Sequence, residues 1–166
     1  MVDYALLCEQ IRSLAEASAD PVPVLANASA LLYDALPDLN WAGFYLVRNV
    51  GDMGAVTDGA ANGAQELLLG PFQGKPACVQ IAYGKGVCGT AWAADATQLV
   101  PNVHEFPGHI ACDSASNSEI VVPVFRGEEV FGVLDIDSPL FSRFTEEDRN
   151  GLEAFVRVLE KQLFGE

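Results

Sequence analysis

The stretch IVVPVFRGEEVFGVLDIDS, residues 120–138, decides the fold. Two apolar runs, 120–125 and 130–136, flank the turn Arg126-Gly127-Glu128-Glu129, the pattern of two paired strands. Successive strand side chains point to opposite faces, so Asp135 and Asp137, two residues apart, emerge on the same face. Aspartate is depleted in strands, and Asp135 lies inside one. Asp137, just before Ser138-Pro139, also fits an ordinary turn.

Immediately upstream, GHIACDSASNSEIVVPV (108–124) sets Cys112 in a loop of small polar residues that runs into a strand headed by Glu119. Such loops offer backbone N–H groups and hydroxyls to a ligand, and a thiol there can be reached by one. The loop, 102–117, also carries His104 and His109, and loops longer than about 12–15 residues are often functional. Gln98 to Pro101 before it reads as a short strand. GKGVCGTAWAADA (84–96) reads as a tight turn feeding a short helix, with Cys88 on the first turn, where the helix dipole favours a thiolate. That turn lacks the spacing of a phosphate-binding P-loop.

Farther out, strands are expected at 65–69 and 78–82, separated by the turn material GPFQGKP. In the strand Trp41 to Arg48, alternation puts Trp41, Gly43, Tyr45 and Val47 on one face and Ala42, Phe44 and Leu46 on the other. Trp41 and Tyr45 fit either a core or a pocket wall. Residues 49–64, glycine-rich and without periodicity, read as a long, mobile and dispensable hairpin loop.

Residues 3–18 place Tyr4, Leu7, Cys8, Ile11, Leu14 and Ala15 on a helical stripe, where a thiol acts as a small hydrophobe. Asp20-Pro21 opens a second helix with Leu25, Ala28, Leu31, Leu32 and Ala35 toward the core. Thr145-Glu146-Glu147-Asp148 caps a last one. The fold class is therefore α+β: a central antiparallel sheet with the N- and C-terminal helices on one face and the ligand pocket on the other. A single domain, 1–166, divides into N-terminal helices (1–38), sheet and active-site loops (39–144) and C-terminal helix (145–166).

With half its 166 residues hydrophobic and 19% charged, the chain has the material for one packed core. A formal charge of −14 repels phosphate backbones and anionic lipid, which argues against nucleic acid and membrane as partners. No apolar run approaches the roughly 18 residues of a spanning helix, and the N-terminus lacks a basic leader, so a cytoplasmic location is expected. The four cysteines then read as free thiols, some of them reactive. No CxxC pair is present, and His109-x-x-Cys112 would need two more ligands for structural zinc, so no metal is expected.

Three thiols, the carboxylates Glu119, Asp135 and Asp137, and two aromatics suit a redox reaction on a small cationic ligand. Paired carboxylates attract an ammonium, and their mutual repulsion can keep one protonated as a general acid. The same three acids oppose formation of a Cys112 thiolate.

From NWAGFYLV through LLLGPFQGKPACV, GKGVCGTA, GHIACDSASNSEIVVPV and GVLDIDS to RFTEEDRNGLE, the chain resembles the free methionine-(R)-sulfoxide reductases, which are stand-alone GAF domains. The resemblance covers most of the chain past residue 39. It implies that Cys112 attacks the sulfoxide sulfur, releasing methionine and leaving a sulfenic acid, that Cys78 resolves it as a disulfide, and that Cys88 is auxiliary. It further implies that Glu119, Asp135 and Asp137 bind substrate, with Trp41 and Tyr45 around its sulfur and methyl group. No cofactor is expected to be bound, with thioredoxin as external reductant and a homodimer as a compatible assembly. The rival readings are a ligand-sensing GAF module without turnover and a thiol redox switch.

Overall fold

Asp3 accepts a hydrogen bond from the Leu6 N–H (2.9 Å) and so caps the first helix, α1 (Tyr4–Ala15). Asp20 does the same for the Val22 N–H (2.9 Å) at the start of α2 (Pro21–Ala35), where the first-turn prolines sacrifice no intrahelical bond. The computed structural model describes residues 1–53, 64–109 and 112–165. The elements that follow are β1 (Trp41–Asn49), β2 (Gln65–Gly74), β3 (Gln80–Ala82), α3 (Gly86–Ala94), β4 (Gln98–Val100), β5 (Ser118–Arg126), β6 (Glu129–Ser138) and α4 (Glu146–Phe164). Among the described residues, six strands form one sheet in the order β3-β2-β1-β6-β5-β4, every neighbouring pair antiparallel.

Alternation along the strands divides the core in two. Ala42, Phe44 and Leu46 of β1, Ile120, Val122 and Val124 of β5, and Leu134 and Ile136 of β6 face α1, α2 and α4. Trp41, Tyr45, Leu67, Val121 and Val133 face the other way, toward α3 and the active-site loops. Fully burying one such side chain contributes about 1.5–3 kcal/mol, so strands buried on both faces need near-continuous apolar sequence. The terminal helices do share one face, as expected. The internal helix α3 departs from that division and packs on the pocket face, with Val87, Cys88, Ala91 and Trp92 buried.

Three boundaries differ from the sequence reading. The segment GPFQG belongs to β2, not to a turn: Trp41 pairs with Gly74, Ala42 with Gln73 and Gly43 with Phe72. A register irregularity between Gly43 and Tyr45 takes up the Gly70-Pro71 step, where proline brings no N–H to the ladder. Pairing thus overrides turn-like composition. β3 is correspondingly short, which leaves Cys78 in the loop before it. β6 runs through Asp137, which is a strand residue and not a turn. The helical stripes are also narrower than their spacing suggests, since Leu14 and Ala35 are exposed.

At the start of α4, the Thr145 hydroxyl accepts from the Asp148 N–H (3.3 Å) while Asp148 accepts from the Thr145 N–H (2.8 Å). Asp148 also accepts from the Tyr4 hydroxyl (2.6 Å) and from Arg143 (3.2 Å), which ties α1 to α4. Of the expected loop at 49–64, residues 54–63 lie outside the described residues. Its ends close on each other, with the Val50 N–H donating to the Ala64 carbonyl (2.9 Å). Among the described residues, no helix is long and apolar enough to cross a membrane.

Candidate active site

The register of three central strands builds the floor. Glu119 pairs with Asp137 across β5 and β6, and Trp41 pairs with Asp137 across β1 and β6, giving one row of three side chains. Val121, Asp135 and Gly43 form the next row on the same face. Directly opposed residues bring their Cβ atoms to about 4.5–5.5 Å, so the three acids converge because their strands are paired in this register. Gly43 adds no side chain beside Asp135, and a Cβ there would run into Phe72.

Glu119 is only 5% and Asp135 only 7% exposed, and Asp137 is half-buried at the end of the row. Burial pushes all three upward. Glu119 rises well above the usual carboxylate range, first from desolvation and then from the charges of Asp135 and Asp137. Asp137 rises well above it too, from desolvation and then Asp135, and the Ser116 hydroxyl offsets part of this. Asp135 rises to about 6 by desolvation, held down by hydrogen bonds from Glu119 and the Cys88 thiol. Its Oδ1 atom has no hydrogen-bond partner.

Cys88 sits on the first turn of α3 and is 4% exposed. Burial outweighs the helix dipole expected to favour a Cys88 thiolate. Desolvation, and after it the charges of Asp135, Glu119 and Asp137, push the Cys88 thiol well above its ordinary range and keep it protonated.

Cys78 and Cys112 close over this floor as a disulfide, S–S 2.02 Å, although 34 residues separate them in sequence. The aromatics hold the loop that carries Cys78. The Tyr45 hydroxyl donates to the Cys78 carbonyl (2.9 Å) and the Trp41 indole N–H to the Lys75 carbonyl (3.2 Å). Trp41 stacks on Tyr45 (5.8 Å) and on Phe72 (5.2 Å). Both readings of these aromatics therefore hold, because each is core and pocket wall at once.

On the other loop, the Asn40 side chain donates to Asp113 (3.0 Å) and to the Ser116 hydroxyl (2.9 Å), and its backbone N–H donates to the Asp137 carbonyl (3.0 Å). Asp113 also accepts from the Ala115 N–H (2.9 Å). That backbone bond, then Asn40, holds the Asp113 carboxyl below the usual range, so it stays ionised beside the protonated Glu119 and Asp137.

Seven of the eight residues singled out from sequence, Trp41, Tyr45, Cys88, Cys112, Glu119, Asp135 and Asp137, line one cavity of about 40 Å³, and the eighth, Cys78, is tied to it through its bond to Cys112. A water needs roughly 10–15 Å³ measured this way, so the space admits a small polar group of a few heavy atoms. His109, Asp113 and Ser116 line it as well, though the sequence reading gave them no role. Asp113 and Ser116 lay within the polar loop already noted, whereas nothing marked Asn40, which acts through its bonds to them. His109 stands 3.8 Å from Glu119. Burial, and then His104, lower the His109 pKa, so this is a contact between two neutral groups and not an ion pair. His104 instead bonds Asn117 (2.8 Å) and braces the loop from outside the cavity.

The chain matches the GAF domain over residues 20–163. It is 49% identical over 160 residues to the free methionine-R-sulfoxide reductase of Escherichia coli, covering 96% of this chain and 88% of that one. It is 43% identical over 142 residues to the Saccharomyces cerevisiae protein of the same name, covering 82% and 72%. The solved free methionine-R-sulfoxide reductase of Neisseria meningitidis, in complex with its substrate, superposes with a TM-score of 0.84 at 41% identity, over 96% of this chain and 87% of that one. Taken with the fold, these likenesses show that the chain belongs to the free methionine-R-sulfoxide reductases, a family of oxidoreductases built on the GAF domain.

Proposed function

We propose that the protein reduces free L-methionine-(R)-sulfoxide to L-methionine, with Cys112 as the attacking thiol and Cys78 as the resolving one. The observation that carries this reading is the Cys78–Cys112 bond over a floor of buried acids that retain their protons. The Cys112 thiolate attacks the sulfoxide sulfur while a buried carboxyl donates a proton to the oxygen. The S–O bond breaks, methionine leaves, and Cys112 holds the oxygen as a sulfenic acid. The Cys78 thiol then displaces that oxygen as water, forming the disulfide. Two thiols are oxidised and one sulfoxide is reduced, so a dithiol must restore the enzyme; thioredoxin is the proposed donor.

Glu119, Asp135 and Asp137 also bind the substrate ammonium, Asp135 by the negative charge it carries above about pH 6 and the protonated pair by accepting hydrogen bonds. Trp41 and Tyr45 take the sulfur and methyl group, and Cys88 is an auxiliary thiol beside Asp135. The whole reaction fits one GAF domain, working in the cytoplasm without a bound cofactor, alone or as a homodimer.

Single-turnover methionine release tests the thiol roles. Reduced Cys112→Ser should release none, whereas Cys78→Ser should release up to one equivalent per active site and then stall. Equal loss of that burst in both variants would overturn the assignment.

A further inference from the structure

We propose that Cys88, Glu119 and Asp135 form a binding site for a zinc-like divalent cation on the floor of the pocket. One donor atom from each residue lies within 4.8 Å of the others, and all three residues are buried. They come from α3, β5 and β6, so the packed sheet and helix position them without any mobile loop. Spacing in the sequence gives no hint of this set, because residues 88, 119 and 135 fit no local ligand motif.

A second observation points to a ligand. Asp135 is 93% buried by area, being 7% exposed, yet its Oδ1 has no donor. A buried acceptor left unpaired costs roughly 1–3 kcal/mol, and a cation seated among the three donors removes that cost.

The donor set selects the kind of ion. One sulfur and two carboxylate oxygens suit a borderline ion such as zinc, whereas magnesium and calcium take oxygen ligands alone. His109 stands beside this set, its Nε2 3.8 Å from Glu119 Oε2, but it is not one of the three clustered donors, which leaves the fourth position of a tetrahedral ion open. The ion would replace the protons held by the Cys88 thiol and the Glu119 carboxyl, and binding would release them. Cys78 and Cys112 are not required, since they are bonded to each other. The site is therefore complete in the oxidised protein.

The test uses oxidised protein carrying Cys8→Ser, which leaves Cys88 as the one free thiol. Titration with cobalt(II) should produce thiolate-to-cobalt absorption that saturates at one equivalent and is abolished by zinc. Cys88→Ala should remove the absorption. Both Cys88→Ala and the near-isosteric Asp135→Asn should weaken zinc binding, measured against a chelating indicator, by at least about tenfold. No thiolate absorption in the Cys8→Ser protein, or unchanged zinc affinity in both variants, would overturn the proposal by assigning the metal to exposed carboxylates. The readout needs no turnover, so its failure and failure of the proposed reaction are separate results.

Discussion

Glu119, Asp135 and Asp137 carry the physics of the site at the scale of single residues, because burial decides their protonation. Donor atoms of Glu119 and Asp135 approach within 4.8 Å, and two ionised carboxylates at that spacing repel by about 3 kcal/mol at an effective dielectric near 20. Retaining protons avoids the repulsion. It also eases the conflict seen in the sequence, where three acids would suppress the Cys112 thiolate, since a protonated carboxyl exerts no such charge. The consequence for stability has a definite sign. These groups have folded pKa values above their unfolded ones, so the stability they contribute is fully present below about pH 4 and is lost as pH rises through the folded value, about 6 for Asp135. Asp113, shifted the other way, acts only as pH falls toward its own lowered value, outside that window. The urea midpoint of the substrate-free protein should therefore be higher at pH 5 than at pH 7, and Asp135→Asn should flatten the difference. A midpoint that rises from pH 5 to 7 would contradict the burial argument.

At the scale of elements, what could be read from sequence was whatever local periodicity dictates. The β5–β6 hairpin announced itself by apolar runs around a glycine turn, and the two-residue step from Asp135 to Asp137 placed both on the pocket face. The cap of α4 was equally plain, because Thr145 and Asp148 satisfy each other within three residues. The full length of β2 was not legible, because Gly70, Pro71 and Gly74 look like a turn until β1 pairs with them. Nor was Asn40, whose importance lies in bonds to residues 73 and 76 positions away. Two substitutions probe these elements. Cys8, half-buried against the α1–α4 core and remote from the pocket, should tolerate Cys8→Ala with near-normal turnover and a loss of about 1 kcal/mol in urea unfolding. Gly43→Ala should do more harm, since the added Cβ meets the Phe72 backbone at 2.7 Å and the Trp41 ring at 2.8 Å. Overpacking of that kind costs about 1–3 kcal/mol. It should also raise KM by displacing Trp41, and an unchanged KM would show that the β1–β2 irregularity does not shape the pocket.

For the whole molecule, the sheet serves as a partition. One face is committed to the core under α1, α2 and α4, and the other is divided between a smaller core under α3 and the cavity. This division lets a domain of 166 residues bury two carboxyls and a thiol in one place, with a third carboxyl half-buried beside them, while keeping an apolar core of ordinary size behind them. A net charge of −14 surrounds the site with a field that favours an ammonium-bearing ligand. A peptide-bound sulfoxide presents neutral amides instead, and each buried acid left unpaired against them costs roughly 1–3 kcal/mol. The most direct measurement of the central claim is thioredoxin-coupled reductant consumption with four substrates: free R and S sulfoxides, N-acetylmethionine-(R)-sulfoxide, and the R sulfoxide within a peptide. Turnover confined to the free R epimer is the predicted result. Equal rates on the acetylated or peptide substrate, or no consumption with any of the four, would contradict it.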